Sequence, residues 1–371
     1  MRTLRFVLLA SLAATPLAAQ QTDGFDLSIA NIMRGPELYG RSPQNVSWTP
    51  DGRWIYFRWV EPGTDWRAPM EDWRVRPARD ARPERVTRAH MDSVAPLLVS
   101  GGSLSPDRRL RAVSSGGDLY VIDQQRGTAR RLTQTNAAAA NPQFSADGRR
   151  IYYISDNNLF SIELDGGLLR QHTDIRTGPA PRDSAPPVGQ RGALQAQQRE
   201  LFEAVRDQER RDSLQRAERT WRDSLRILPV HLERRERVAA LRVAPSGRGV
   251  IVTTITPAEG VQQTRIPNYV TLSGYTEEMT VRPKVGDAQS QGRIGFMTLP
   301  DAQITWLDVM PEDTSRAGAQ VQVLDWNAAG TQALVRAVSR DFKTRWLHVV
   351  NAEGGAVRTV DVLRDTAWVA G

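Results

Sequence analysis

A five-residue phrase recurs along this 371-residue chain and constrains how it can fold. Thr49-Pro50-Asp51-Gly52-Arg53, Ser105-Pro106-Asp107-Arg108-Arg109, Ser145-Ala146-Asp147-Gly148-Arg149 and Ala244-Pro245-Ser246-Gly247-Arg248 are versions of one turn, with a degenerate copy at Asn327-Ala328-Ala329-Gly330-Thr331. Aspartate in such a phrase caps its own turn through the side chain, and glycine supplies the positive φ. Each copy separates two short apolar runs, such as Val46-Ser47-Trp48 and Trp54-Ile55-Tyr56-Phe57. Runs of this composition, bounded by turn residues, read as paired strands.

The units around the second and third copies run in parallel. Leu104 to Asp107 leads to Leu110–Ser114, Asp118–Ile122, a Gln-Arg-Gly turn and Arg130–Thr133. Pro142 to Ser145 leads to Ile151–Ile154, Asn158–Ile162, Asp165-Gly166-Gly167 and Arg170–Thr173. Two four-strand units about forty residues long with matched turns are the pattern of β-propeller blades. A first unit occupies about 45–90, with Trp66 to Trp73 in a loop or outer strand. A fourth starts near Val238, holds Val250–Thr254, makes an excursion over Thr264 to Gly286 and resumes at Gly295 and Ile304. A fifth pairs Val321–Trp326 with Ala333–Ala337 and continues through Trp346–Val350. The expected fold is therefore all-β, a β-propeller with about five blades of the seven or eight a closed ring needs. Asp365 to Gly371 reads as the lead into another strand. An open ring exposes sheet edges, so the isolated chain is expected to associate or dissolve poorly.

The period breaks once. Gly178 to Gly189 is Pro-rich, and Ala193 to about Ile227 lacks Gly and Pro and is dense in Arg, Glu and Gln. Apolar residues at Leu194, Leu201, Phe202, Val205, Leu214, Trp221, Leu225 and Leu228 predict a long helical insertion, as one helix or a hairpin. Its charged face is either simply solvated or a docking surface for a partner protein or a second copy in a homodimer. The expected organisation is a signal peptide over 1–20, blades over 21–177, linker and helical insertion over 178–237, and further blades over 238–371. A short helix is expected near Leu27 to Met33.

Arg2 and Arg5, the apolar run Phe6 to Ala14 and the small residues around Ala18-Ala19 have the layout of a secretory signal. The run is too short to span a bilayer. The expected location is the periplasm or outside the cell, with no membrane span once the signal is cleaved. There is no cysteine, hence no disulfide framework. The net charge is +7, yet every basic residue except Lys284 and Lys343 is arginine, spread along the whole length. No clustered basic face with interleaved aromatics is evident, which argues against nucleic-acid binding.

Gly-x-Ser-x-Gly, which marks the nucleophile of an α/β-hydrolase, does not occur. The four histidines, His90, His172, His231 and His348, stand far apart and none has a partner at metal-ligand spacing. No catalytic residue, metal site or cofactor is expected. The most interesting acidic pair is Glu277-Glu278, placed on a loop where two carboxylates facing a propeller channel would bind a peptide amino terminus. The competing reading is an exposed acidic loop.

The blade phrases resemble those of periplasmic TolB-type propellers. They resemble more closely the amino-terminal propeller of the dipeptidyl peptidase IV, or prolyl oligopeptidase S9, family. The discriminating stretch is Ile266–Val270, Ser273-Gly274-Tyr275 and Arg282-Pro283-Lys284-Val285-Gly286-Asp287, similar to the Arg-x-x-Lys-x-Gly loop of those peptidases but with one residue fewer between Arg and Lys. The similarity covers nearly everything from about residue 40 onward apart from the helical insertion. It implies an eight-bladed propeller that caps an α/β-hydrolase domain, admits only short peptides and, in dipeptidyl peptidases, offers a glutamate pair to the peptide amino terminus. The chain departs from that pattern by lacking the hydrolase domain and an aromatic-flanked Glu-Glu helix, which Glu277-Glu278 does not match. On this resemblance the chain is the front part of an exported serine peptidase, inactive alone, that gates and orients peptide substrates. The alternative is a stand-alone TolB-like module that holds a protein partner.

Overall fold

The computed structural model describes residues 28–180, 188–224, 227–284, 286–299, 303–311, 320–327 and 329–369. The expected signal peptide lies outside them, as does Leu225. Two short helices, α1 (Ile29–Ile32) and α2 (Pro36–Tyr39), lead into five four-stranded antiparallel meanders. Blade one holds β1 (Gln44–Trp48), β2 (Ile55–Trp59), β3 (Glu71–Val75) and β4 (Glu84–Arg85). After α3 (Arg88–Leu98), blade two holds β5 (Ser103–Leu104), β6 (Leu110–Ser115), β7 (Asp118–Asp123) and β8 (Thr128–Arg131). Blade three holds β9 (Ala140–Phe144), β10 (Arg150–Ser155), β11 (Asn158–Glu163) and β12 (Leu169–Gln171).

The chain then forms β13 (Asp174–Arg176), enters the insertion with α4 (Gln190–Leu201) and α5 (Glu203–Ser224), and returns as β14 (Pro229–His231), parallel to β13. Blade four interleaves β15 (Arg237–Val243) and β16 (Gly249–Thr256) with a separate two-stranded ribbon, β17 (Gln263–Asn268) and β18 (Glu277–Pro283), before β19 (Gln291–Thr298) and β20 (Ile304–Trp306). Blade five holds β21 (Gln320–Trp326), β22 (Gln332–Val338), β23 (Thr344–Asn351) and β24 (Val357–Arg364). The propeller class and the five repeats read from the sequence are what the structure has.

The core lies between blades rather than inside any one of them. Ile151 and Tyr153 of β10 pack with Ala112, Leu119 and Val121 of blade two, while Tyr152, between them, packs with Leu241, Val250 and Val252 of blade four. Ile251 turns the other way, toward Val335, Ala337 and Trp346 of blade five. Side chains alternate across a strand, so a middle strand sandwiched between two other sheets must be apolar on both faces. This explains the unbroken runs Ile151-Tyr152-Tyr153 and Val250-Ile251-Val252, all buried.

Two expectations need correction. Helix α3, capped by Thr87 and packed on β6, β7 and β8, falls where the first blade was expected to end. The insertion is two helices, one of the two forms expected, with Phe202 in an extended conformation between them, but its apolar residues do not share one stripe. Within α5, Val205 and Leu214 are nine residues apart, which at about 3.6 residues per turn puts them on opposite faces and not on one stripe. The helices are tied to each other by Arg199, whose Nε donates to Glu209 Oε1 at 2.7 Å.

Candidate functional site

The turn phrases join the first and second strand of each blade, and all share one geometry. A backbone N–H of the fourth residue donates to the carbonyl of the first in every copy, at 2.7–2.9 Å: Gly52 to Thr49, Arg108 to Ser105, Gly148 to Ser145, Gly247 to Ala244 and Gly330 to Asn327. The fourth residue has φ between 57° and 72° throughout. The Ser105 hydroxyl donates to Asp107 Oδ1 at 2.6 Å, which also accepts from the Arg109 N–H. These two bonds hold the Asp107 carboxyl below its ordinary range, and Asp147 is held down in the same way by Ser145 and Arg149. The acidic turn residues are thus structural caps.

Turns of successive blades touch. Ala146 N–H donates to the Pro245 carbonyl at 2.8 Å, and Ser246 Oγ to the Gly330 carbonyl at 3.4 Å. A side chain on Gly148 would meet Pro106, and one on Gly127 would meet Asp51. The phrases therefore form a continuous rim at one end of the blades.

From that rim the first strands run along an axial cavity of about 600 Å³, which is walled by blades two to five. Residues just before the phrases of blades two to five line it: Ser103 in blade two, Gln143 and Phe144 in blade three, Arg242 and Val243 in blade four, and Asp325 and Trp326 in blade five. Register shifts interrupt β9, β15 and β21, and such bulges twist a strand and re-aim its side chains. Adjacent first strands are bridged by the Phe144 N–H donating to Ser103 Oγ at 3.0 Å.

The cavity carries opposite charges on neighbouring blades, Arg242 and Asp325. Trp326 and Ser114 are among its lining residues, but their Nε1 and Oγ are buried and have no hydrogen-bond partner among the described residues. Val113, Phe144 and Val243 supply buried apolar wall. Unpartnered buried donors are costly unless a ligand or water satisfies them. A zwitterionic, partly apolar ligand would meet the two charges and the apolar wall.

Glu277 and Glu278 lie elsewhere. They begin β18 in the exposed ribbon, not on a loop at the cavity, and they do not line it. Neighbouring residues of a strand point to opposite sides, so the two carboxylates diverge. Glu277 Oε1 accepts from the Ser273 hydroxyl at 2.8 Å, and Glu278 Oε2 from Arg265 at 3.1 Å.

The histidines serve structure. His348 is buried, with Nε2 at 2.8 Å from the Val309 carbonyl and Nδ1 at 3.2 Å from Thr359 Oγ1. His172 Nε2 lies 2.8 Å from Ser161 Oγ, and burial, reinforced by Arg170 and Arg150, pushes its pKa down to about 4. His90 Nε2 lies 2.8 Å from the Tyr56 hydroxyl, and His231 Nδ1 lies 3.2 Å from the Gly178 carbonyl. Among the described residues no group of three or more His, Cys, Asp or Glu could hold a metal ion. No described helix is long and apolar enough to cross a membrane.

Residues 105–180 match the family model of the dipeptidyl peptidase IV N-terminal region. No curated protein matches the chain in sequence. Among solved structures it is similar to dipeptidyl peptidase 4 of Porphyromonas gingivalis, with 13% identity and a TM-score of 0.42 over 92% of this chain and 43% of that one. A protein assigned as a dipeptidyl aminopeptidase IV from Bacteroides ovatus has 14% identity and a TM-score of 0.35, over 89% and 38% of the two chains. A protein assigned as TolB from Agrobacterium tumefaciens has 14% identity and a TM-score of 0.34, over 88% and 82%. The chain thus spans less than half the length of the two peptidases it resembles. The matched residues span the second and third blades, whose Ser-x-Asp turns recur forty residues apart.

Proposed function

We propose that this chain is the propeller portion of an exported S9-type serine peptidase, in which the axial cavity admits short peptides and orients them toward a hydrolase domain of the full-length polypeptide. The observation that carries this reading is the family match over blades two and three, whose first strands wall the cavity. The chemistry of the wall suits the ligand. Asp325 would attract a peptide amino terminus and Arg242 a carboxylate, beside the side chain of Trp326. Val360, Val362 and Leu363 of β24 are exposed and would be covered by further chain in the full-length protein. This portion positions substrate and performs no bond cleavage.

Activity measurements on two proteins test the proposal. The polypeptide encoded by the complete reading frame should hydrolyse dipeptidyl or prolyl chromogenic substrates, whereas purified 28–371 should not. Hydrolysis by 28–371 alone would contradict the assignment. A reading frame that closes without a hydrolase would favour a stand-alone TolB-like module holding a protein partner in the periplasm. Export itself is checked by sequencing the mature amino terminus, expected just past Ala19.

A further inference from the structure

A second cleft, of about 360 Å³, opens between blades four and five, lined by Ala239, Thr253, Ser290, Gln320, Gln322 and Arg336 among others. Its polar groups are biased toward donors. Arg336, half-buried on β22, uses one N–H of its guanidinium to donate to Gln322 Oε1 at 2.8 Å. A guanidinium carries five such donors, so several remain. Because Gln322 spends its carbonyl oxygen on Arg336, its amide N–H groups are left to face a ligand. Ser290 Oγ already accepts from the Ala258 N–H at 3.3 Å, which leaves its O–H to donate.

The charge balance points the same way. Among the described residues no Asp or Glu lines the cleft. Glu236, bonded to the lining residue Thr254, is consumed: its Oε1 accepts from Thr254 and Arg293, and its Oε2 from Arg293 and the Glu233 N–H. Several other partly buried arginines are matched by acids, Arg293 by Glu236 and Glu233, Arg74 by Glu84 and Arg345 by Asp361, although Arg111 is not. Arg336 has no acid partner among the described residues. A half-buried cation is ordinarily paired. The register shift at Ala239 interrupts the strand forming this wall, and Ile255 and Val321 give the cleft an apolar side.

We propose that this interblade cleft is an oxyanion site that takes a carboxylate, with Arg336 as its charged anchor and Gln322 and Ser290 as flanking donors. The site is separate from the axial cavity and does not depend on the peptide-orienting role given to it. The carboxylate would be that of a small, partly apolar molecule, such as a peptide carboxy terminus.

Calorimetric titration of the whole chain provides the test, with an N-acetylated dipeptide bearing a free carboxy terminus, its carboxamide, and inorganic phosphate as probes. The free acid should bind at least ten-fold more tightly than the carboxamide and more tightly than phosphate. Arg336→Gln should weaken the free acid at least ten-fold, and Arg336→Lys should restore part of the affinity. Gln322→Glu, which sets a carboxylate of the same size against Arg336, should abolish binding while raising the melting temperature. That variant keeps the test decisive should Arg336→Gln fold poorly. Equal affinity for acid and carboxamide, preference for phosphate, or undiminished binding in Gln322→Glu would each overturn the proposal.

Discussion

Single residues decide the turns. Arg108 holds a left-handed conformation, φ 57°, that glycine takes in the other four phrases, and a side chain there costs about 1–2 kcal/mol in the backbone. Arg108→Gly should therefore stabilise the chain by up to about 1 kcal/mol once the entropy glycine loses on folding is subtracted. Gly148→Ala should destabilise it by about 1–2 kcal/mol, since φ is 67° and the new carbon would sit 3.2 Å from Pro106. Denaturant unfolding measures both, and a neutral result for Gly148→Ala would show that the rim is looser than described. The phrase also recurs where no glycine announces it. Ser339-Arg340-Asp341-Phe342-Lys343 caps itself as the others do, with Phe342 at φ 56°, but it joins β22 to β23. A pattern sought through Asp-Gly passes over it.

His172 gives the residue scale a pH signature. Its pKa is about 4 in the fold against about 6.5 when unfolded, so the unfolded chain binds the proton more readily. Stability should fall as pH drops from about 6.5 toward about 4, and His172→Phe should flatten that part of a melting-temperature profile. An unchanged profile would remove the assigned role.

At the scale of elements, blade four is cross-braced by one residue from each strand or its approach. Glu236 precedes β15, Thr254 lies in β16, Arg293 in β19 and Trp306 in β20, with the Arg293 guanidinium 3.8 Å from the Trp306 ring centroid. Burial pushes the Glu236 carboxyl up, but bonds from Arg293, Thr254 and the Glu233 backbone outweigh it and hold the group below its ordinary range. Removing one partner strands a buried charge, so Arg293→Ala should cost about 3–5 kcal/mol. A double-mutant cycle with Glu236→Ala should show the two losses to be far from additive. With its pKa lowered on folding, Glu236 contributes stability that is present above about pH 4.3, the unfolded carboxyl value, and lost as pH falls through the lower folded value. Glu236→Gln should abolish that acid-side loss.

The elements differ in how plainly the chain declares them. Blades two and three were legible because Ser105 and Ser145, Leu119 and Leu159, and Thr133 and Thr173 repeat forty residues apart and do the same work. In both blades the threonine hydroxyl accepts from the leucine N–H at 2.9 Å. Helix α3 was hidden by Pro96 inside it and by its place at a blade boundary. The Glu236–Arg293 pair spans 57 residues, and the intervening ribbon erases any local spacing that would reveal it. Glu277 and Glu278 drew notice as an adjacent pair, yet adjacency in a strand separates side chains. The helical insertion leaves and returns on the paired strands β13 and β14. Replacing 190–224 with a short Gly-Ser linker should leave thermal unfolding of the propeller within a few degrees, and a large loss would show that the helices brace the blades.

At the scale of the whole molecule, one arrangement links sequence to role. Turn phrases gather at a rim, and the residues directly before them line a common cavity. Because packing runs from blade to blade, each first strand is fixed from both sides while its inner edge remains available. Short connections position these residues without any of them being signalled by a chemical motif. The decisive measurement is an amide and indole NMR titration of 15N-labelled protein with an unblocked tripeptide, read at the Trp326 indole N–H. Binding should shift the Trp326 indole signal and the backbone signals of Ser114, Arg242 and Asp325, while the Trp54 indole stays in place. Trp326→Phe should weaken the peptide several-fold. A peptide that binds without moving Trp326, or that fails to bind at millimolar concentration, would contradict the cavity as the peptide site.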